Sequence, residues 1–411
     1  MGPTSRRCLG CLAAKFRRSV PRPRSEARAF PVSGFDAISQ DQAIEEETIP
    51  EYKAEYFYPV RLGEVFHNRF QTVAKLGYGS SSTIWLARDL CEHQYVALKV
   101  YIHNSARHRE LPFYDHLDKF LPSKHRGARK VRKLLASFEV DGPRGKHVAL
   151  ALQVSQMSIR DMDTVFMDGN GFNEGFVQGA VIELLEALDF LHTEVQCVHT
   201  DVHPGNLLLG LDDDSLFQAL EENEFSSPVP RKQLEDRVIY LSRLMKPKAG
   251  PLLLSDFGEA RLGPGPHAGD IMPIMYRAPE TLLRIQWGCP VDIWSVGLTA
   301  WQLLEGKTLF TARKEDGSFS DGVHLAELIA ALGPPPPGLL RRNHKRALEY
   351  WDEHGNWGEF VPIPKERTLE AAETKLKDSA KFLRFIRRAL TWDPDTRPTA
   401  KQLLQDPWLT E

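Results

Sequence analysis

Apolar and polar residues alternate in short runs in the first third of the chain and shift to helical spacing thereafter. Phe70-Gln-Thr-Val-Ala74 and Ser82-Thr-Ile-Trp-Leu-Ala87 alternate and carry β-branched residues, and Tyr95-Val-Ala-Leu-Lys-Val100 reads as a third strand. Ala106 to Phe120 has helical spacing, with Pro112 as an irregularity, and Val148 to Val154 reads as a buried strand. From Phe176 to Leu191 one face collects Val177, Ala180, Val181, Leu184, Leu185, Leu188 and Leu191, the signature of an amphipathic helix. Val291–Leu304 and Ala380–Leu390 predict further helices. The pattern predicts an α+β chain, with a smaller strand-rich region followed by a larger helical one.

The connecting segments differ in character. Residues 1–28 hold Arg6, Arg7, Lys15, Arg17, Arg18, Arg22, Arg24 and Arg28 against the single acid Glu26. Such a start predicts a basic tail over 1–35, with a mitochondrial transit peptide as the competing expectation. Acidic, polar sequence from Asp36 to Glu55 predicts a linker or an arm laid on the folded domain, and the linker is taken to run over 36–69. Leu211 to Gly250 is polar and turn-rich and reads as an insertion, partly helical or mobile. Gly333-Pro-Pro-Pro-Pro-Gly338 predicts a rigid loop.

Composition narrows the class. A chain of 411 residues is long enough for two lobes. A net charge of -3 gives no global field for direct nucleic-acid binding. Five scattered cysteines do not make a disulfide framework, which predicts a reducing compartment, cytoplasm or nucleus. Cys8 and Cys11 have metal-ligand spacing but lack a second pair, so no zinc site is expected. No apolar run approaches the ~20 residues of a membrane span. A monomer is expected.

The chemistry concentrates in His199-Thr-Asp-Val-His-Pro-Gly-Asn206 and in Asp256-Phe-Gly258, which follows 50 residues after Asn206. Phosphoryl transfer needs a carboxylate at the attacking hydroxyl and oxygen ligands for magnesium beside the triphosphate. Asp201 suits the first task, and Asn206 with Asp256 suits the second. Leu252-Leu-Leu-Ser-Asp256 delivers its acid at the end of an apolar strand. Leu76-Gly-Tyr-Gly-Ser-Ser-Ser-Thr-Ile-Trp85 lies between two strands, where Gly77 and Gly79 let backbone N–H groups approach phosphate oxygens. A strand follows this turn, so it is not a dinucleotide fingerprint. Lys99 sits among apolar strand residues and needs an anionic partner. ATP phosphates and Glu110, at the start of the next helix, are the candidates.

Together with Tyr276-Arg-Ala-Pro-Glu280, Asp292-Ile-Trp-Ser and Arg397, these segments make the chain similar to the eukaryotic protein kinase family over 70–409. The resemblance implies a bilobal protein kinase fold, with an N-lobe over 70–155 and a C-lobe over 156–409. It implies a non-specific serine/threonine protein kinase using ATP and Mg2+. Leu76, Gly77, Tyr78, Gly79, Ser80, Ser81, Ser82, Ile84, Ala97, Lys99, Glu110 and Leu208 would bind nucleotide. Asp201, Lys99, Asn206 and His203 would be catalytic, and Asn206 with Asp256 would hold metal. Asp292 would hold backbone N–H groups of the His199 loop, and Glu280 would pair with Arg397.

Within the family the chain resembles the SR-protein kinases, in divergent fungal-type form. Tyr56-Phe-Tyr-Pro-Val60, Gly79-Ser-Ser-Ser-Thr-Ile-Trp-Leu86, Ser137 to His147, His199-Thr-Asp201 and Asp406-Pro-Trp-Leu409 carry that likeness. It implies Arg/Ser-rich splicing proteins as substrates and activity without the usual phosphate switch, because Thr200 stands where an arginine is usual. Two further departures are His203, in place of a lysine that contacts the transferring phosphoryl group, and the Arg-Ala-Pro-Glu sequence itself. His203-Pro-Gly-Asn206 also resembles the loop of small-molecule kinases of the aminoglycoside and choline type. A pseudokinase scaffold is the other alternative, although Lys99, Asp201 and Asp256 are all retained.

Overall fold

The computed structural model describes residues 23–103, 109–358 and 361–411. Most of the basic tail, with Cys8 and Cys11, lies outside the described residues, as does the start of the helix expected from Ala106. The chain forms two compact units whose segments interleave. The first comprises residues up to 108, 133–155 and 211–248, and the second comprises 109–132, 156–210 and 249–411.

The first unit is built on a six-stranded antiparallel sheet. Its strands are β1 (Val65–Phe66), β2 (Phe70–Gly79), β3 (Ser82–Asp89), β4 (Gln94–Tyr101), β5 (Leu134–Gly142) and β6 (Gly145–Gln153), in the spatial order β1-β2-β3-β4-β6-β5. Alternation sends neighbouring residues to opposite faces. Trp85, Ala87, Val96, Leu98 and Val100 join Phe70, Phe138 and Tyr240 in one core, while Val73, Ala74 and Leu86 face the other way.

The second face is closed by the polar segment after Leu211. Its Ser215–Ser226 helix places Phe217 and Leu220 against Val73, Ala74 and Leu86. The segment is thus part of this unit's core. Its polarity comes from acids that are paired. Glu224, fully buried, meets Arg231 at 3.1 Å and Arg243 at 2.8 Å, and Glu221 meets Arg28 at 2.9 Å. The acidic arm packs on the same unit through turns at Glu45–Thr48 and Ala54–Tyr56. Glu46 pairs with the buried Lys75, and Glu47 lies 2.9 Å from Lys232.

The second unit is mainly helical. Helix α1 (Glu110–Leu117) begins late enough to put Pro112 in its first turn, where a missing N–H breaks no helical bond. Helix α2 (Ile159–Phe166) is capped by Ser158, whose hydroxyl accepts from the Asp161 N–H. Helix α3 (Glu174–Phe190) starts at the Asn173 cap and buries the predicted stripe of Val177, Val181, Leu184, Leu185 and Leu188. The Pro290–Glu305 helix is buried almost throughout, with Trp294 and Trp301 inside. A Cβ at its Gly297 would lie 2.9 Å from the Ala389 side chain, so glycine permits the close approach of the Ala380–Ala389 helix. The expected loop after Gly333 is shorter than its prolines suggested, because Pro337 already opens the helix Pro337–Arg341. Among the described residues no helix is long and apolar enough to cross a membrane.

Candidate active site

In the second unit the His199 loop is fixed from beneath by one buried acid. Asp292, in the first turn of the Pro290–Glu305 helix, accepts from the His199 N–H and the Thr200 N–H, each at 2.8 Å. It also meets His192 Nε2 at 2.8 Å. Thr200 has φ 67°, which is costly for a β-branched residue and persists only where the surroundings enforce it. Its hydroxyl donates to the Glu259 carbonyl at 2.7 Å, tying the loop to the segment after Asp256-Phe-Gly258. His199 is fully buried. Its Nδ1 accepts from the Asp201 N–H at 3.2 Å, and Nε2 faces the Ser255 carbonyl at 3.2 Å. Burial lowers the His199 pKa, against the opposing pull of Asp292 and Asp201.

Asn206 folds back onto Asp201. Its Nδ2 donates to the Asp201 carbonyl at 2.8 Å and to the carboxylate Oδ2 at 2.9 Å. Both amide hydrogens are thereby engaged, which leaves Asn206 Oδ1 as the group available to a cation. His203 Nε2 lies 3.4 Å from Asp201 Oδ1. On the other side of the ring Nδ1 accepts from the Gly205 N–H at 3.1 Å and from Arg160 Nη2 at 2.8 Å.

Asp256 is brought beside Asn206 by a two-stranded ribbon, Leu207–Leu209 against Leu252–Leu254, with Leu254 opposite Leu207. The Ser255 N–H donates to the Asn206 carbonyl at 2.9 Å, so the two candidate metal ligands leave the same end of the ribbon. Asp256 adopts φ 62°, and its Oδ1 accepts from the Gly258 N–H at 3.3 Å. Phe257 is buried, stacked on Phe113 of α1 at 4.0 Å and edge-on to His199. Glu110, also buried, accepts from the Phe257 N–H at 3.2 Å. Helix α1 therefore holds the Asp-Phe-Gly turn through both packing and a hydrogen bond.

In the first unit β2 and β3 form a hairpin whose end pairs Gly79 with Ser82 across Ser80 and Ser81. Neither Gly77 nor Gly79 has a positive φ, and a Cβ on either would meet nothing within 4 Å among the described residues. The fold itself does not demand glycine there, so the demand falls on whatever approaches the backbone. Tyr78 is exposed at the same tip. Leu76, Ile84 and Ala97 belong to the same three strands, where Lys99 pairs across with Ile84 and Leu150. Lys99 is buried, with its ammonium 4.9 Å from the Tyr101 ring centre. Thus Leu76 to Ser82, Ile84, Ala97 and Lys99 gather in the first unit. Glu110, Asp201, His203, Asn206, Leu208 and Asp256 gather in the second.

The predicted ion pair is present and bidentate, with Arg397 on Glu280 at 2.8 and 3.0 Å and both side chains fully buried. Sequence reasoning missed Arg160 and Arg132. Arg132 is buried, with Nη1 3.3 Å from the Ser255 hydroxyl, and burial lowers its pKa against the fields of Tyr114, Glu110 and Asp256. Both arginines lie in segments whose partners are distant in sequence. Neither carries a local signal, since Arg132 stands in the basic stretch Lys130-Val-Arg-Lys133.

The comparisons agree with this geometry. The protein kinase domain family matches residues 70–409. A serine/threonine protein kinase of Aspergillus fumigatus is 39% identical over 96% of this chain and 98% of its own length. More distant relatives are the serine/threonine-protein kinase SRPK of Physarum polycephalum, 28% identical over 89% of this chain and 92% of its own, and the human SRSF protein kinase 3, 24% identical over 89% and 90%. A solved kinase domain superposes with a TM-score of 0.66 at 22% identity, covering 86% of this chain and 99% of the other, which supports the fold. The chain belongs to the protein kinase family and is a serine/threonine protein kinase.

Proposed function

We propose that this kinase transfers the γ-phosphoryl group of ATP to serine and threonine hydroxyls through the residues gathered above. The observation that carries the reading is the Asn206–Asp201 contact. It orients the Asp201 carboxylate and, by engaging Nδ2, leaves Asn206 Oδ1 as a neutral oxygen at the end of the ribbon from which Asp256 also departs. A neutral carbonyl oxygen and a carboxylate are the hard donors that Mg2+ takes, the remaining positions going to water and phosphate. Bound there, magnesium would offset negative charge on the phosphate oxygens. Asp201 accepts the hydroxyl proton as that oxygen bonds to the γ-phosphorus, and the bond to the β-phosphate oxygen breaks to release ADP. In the first unit Gly77 and Gly79 present backbone N–H groups to phosphate, and Lys99 supplies a buried cation.

The names of two relatives support an acceptor class. They carry SRPK or SRSF, so Arg/Ser-rich proteins are the first acceptors we assign. The test is a magnesium-dependent ATP assay with an Arg/Ser-repeat peptide and a generic basic protein. Asp201→Ala should lose roughly 10²-fold or more in turnover. Equal turnover by that variant would remove the role given to Asp201. Nucleotide binding without transfer by the wild type would instead identify a scaffold. Transfer to the generic protein alone would remove the Arg/Ser assignment.

A further inference from the structure

The phosphoryl-transfer loop lacks a lysine at position 203, and the structure shows what stands in its place. The two partners of His203 Nδ1, the Gly205 N–H and the Arg160 guanidinium, are groups that donate and cannot accept. Nδ1 therefore accepts from both, while Nε2 lies 3.4 Å from Asp201 Oδ1 and 3.3 Å from Asn206 Nδ2. The loop from His199 to Asn206 holds no lysine or arginine to bring a fixed positive charge to a site where negative charge must be stabilised. The guanidinium 2.8 Å from Nδ1 does bring one.

Its position is built rather than incidental. Arg160 is the second residue of α2, whose start is fixed by the Ser158 cap and by a bridge from Ser158 to Leu208, just beyond the loop. Gly205 supplies the space. A Cβ there would fall 2.8 Å from Arg160 Cζ and 2.9 Å from Nη1, so a larger residue would dislodge the guanidinium. Burial raises the pKa of the Tyr276 hydroxyl, with Arg160 opposing that shift and Asp201 adding to it.

We propose that Arg160 is a positioning residue for phosphoryl transfer. It holds His203 by Nδ1 so that Nε2 faces Asp201, and it provides the fixed positive charge that the loop's own side chains lack. This rests on the function proposed above. A group whose effect is felt only as charge develops on the phosphoryl oxygens acts mainly on the transition state and so on kcat.

The experiment is a steady-state comparison of wild type, Arg160→Met, Arg160→Lys, His203→Lys and Arg160→Met/His203→Lys, with thermal unfolding of each. Arg160→Met should lower kcat by about 10-fold while the KM for ATP stays within about 2-fold, because the interaction is realised in the transition state. Arg160→Lys should retain more of kcat than the methionine variant. His203→Lys should raise kcat in the Arg160→Met background and give no such gain in the wild type. Should Arg160→Met fail to fold, Arg160→Gln serves the same comparison. A wild-type kcat in Arg160→Met overturns the proposal, as does the same effect of His203→Lys in both backgrounds. Absence of transfer by the wild type would overturn the underlying function instead.

Discussion

Asp292 and Thr200 are joined by a 2.8 Å hydrogen bond that holds a β-branched residue at a left-handed backbone angle. The same carboxylate accepts from His199 and contacts His192, so three residues in two segments depend on one side chain. Asp292→Ala leaves two buried N–H groups unpaired, at roughly 1–3 kcal/mol each. We expect a marked fall in the unfolding midpoint by calorimetry and loss of turnover even where the variant is folded. An unchanged midpoint would show that the loop keeps its shape by other means.

The Glu280–Arg397 pair offers a separate test of the helical unit. Both side chains are fully buried, so removing one partner strands a charge. Glu280→Gln should cost about 3–5 kcal/mol in denaturant unfolding, and replacing both partners with apolar residues should cost less than either single change. A larger loss in the double variant would contradict this account.

Gly77 and Gly79 separate binding from folding. A methyl group on either meets open space, so Gly77→Ala and Gly79→Ala should leave the unfolding temperature nearly unchanged. Both should raise the KM for ATP by several-fold, if backbone N–H groups there approach phosphate. Unaltered ATP dependence would assign the glycines to some other purpose.

His324 makes stability depend on pH. It is fully buried, neither ring nitrogen has a hydrogen-bond partner among the described residues, and burial with the nearby Arg277 lowers its pKa to about 3. The unfolded ring titrates near 6.5, so between these values the unfolded state binds the extra proton and stability falls as pH falls. At pH 5 the loss from this one group is on the order of 2 kcal/mol relative to pH 7. His324→Leu should remove it, so the stability difference between wild type and variant should shift by that amount between pH 7 and 5. A difference independent of pH would show that the ring is not held neutral.

Much of the second unit's site was legible because its parts are short and local. Asp201 and Asn206 lie five positions apart. Asp256 announces itself at the end of an apolar strand, and the ribbon pairing Leu207 with Leu254 does the rest. Strand alternation and the helical stripe of α3 likewise follow from nearest-neighbour periodicity. What stayed hidden rests on contacts between remote segments. Arg160 looks like an ordinary helix-surface arginine until His203, 43 positions on, is seen against it. The segment after Leu211 looked like a polar insertion because charge outweighs its apolar residues. Its acids turn out to be partnered, and Phe217 and Leu220 are core.

That segment also sets the order in which the protein can be completed during synthesis. The sheet residues Val73, Ala74 and Leu86 are made early, yet their covering residues Phe217 and Leu220 come more than a hundred positions later. Until then a nascent chain carries an apolar sheet face without these two residues over it, the kind of surface that chaperones bind and that aggregates when left alone. A fragment ending at residue 155 should therefore be far less soluble than the full chain, and adding residues 211–248 in trans should improve its recovery.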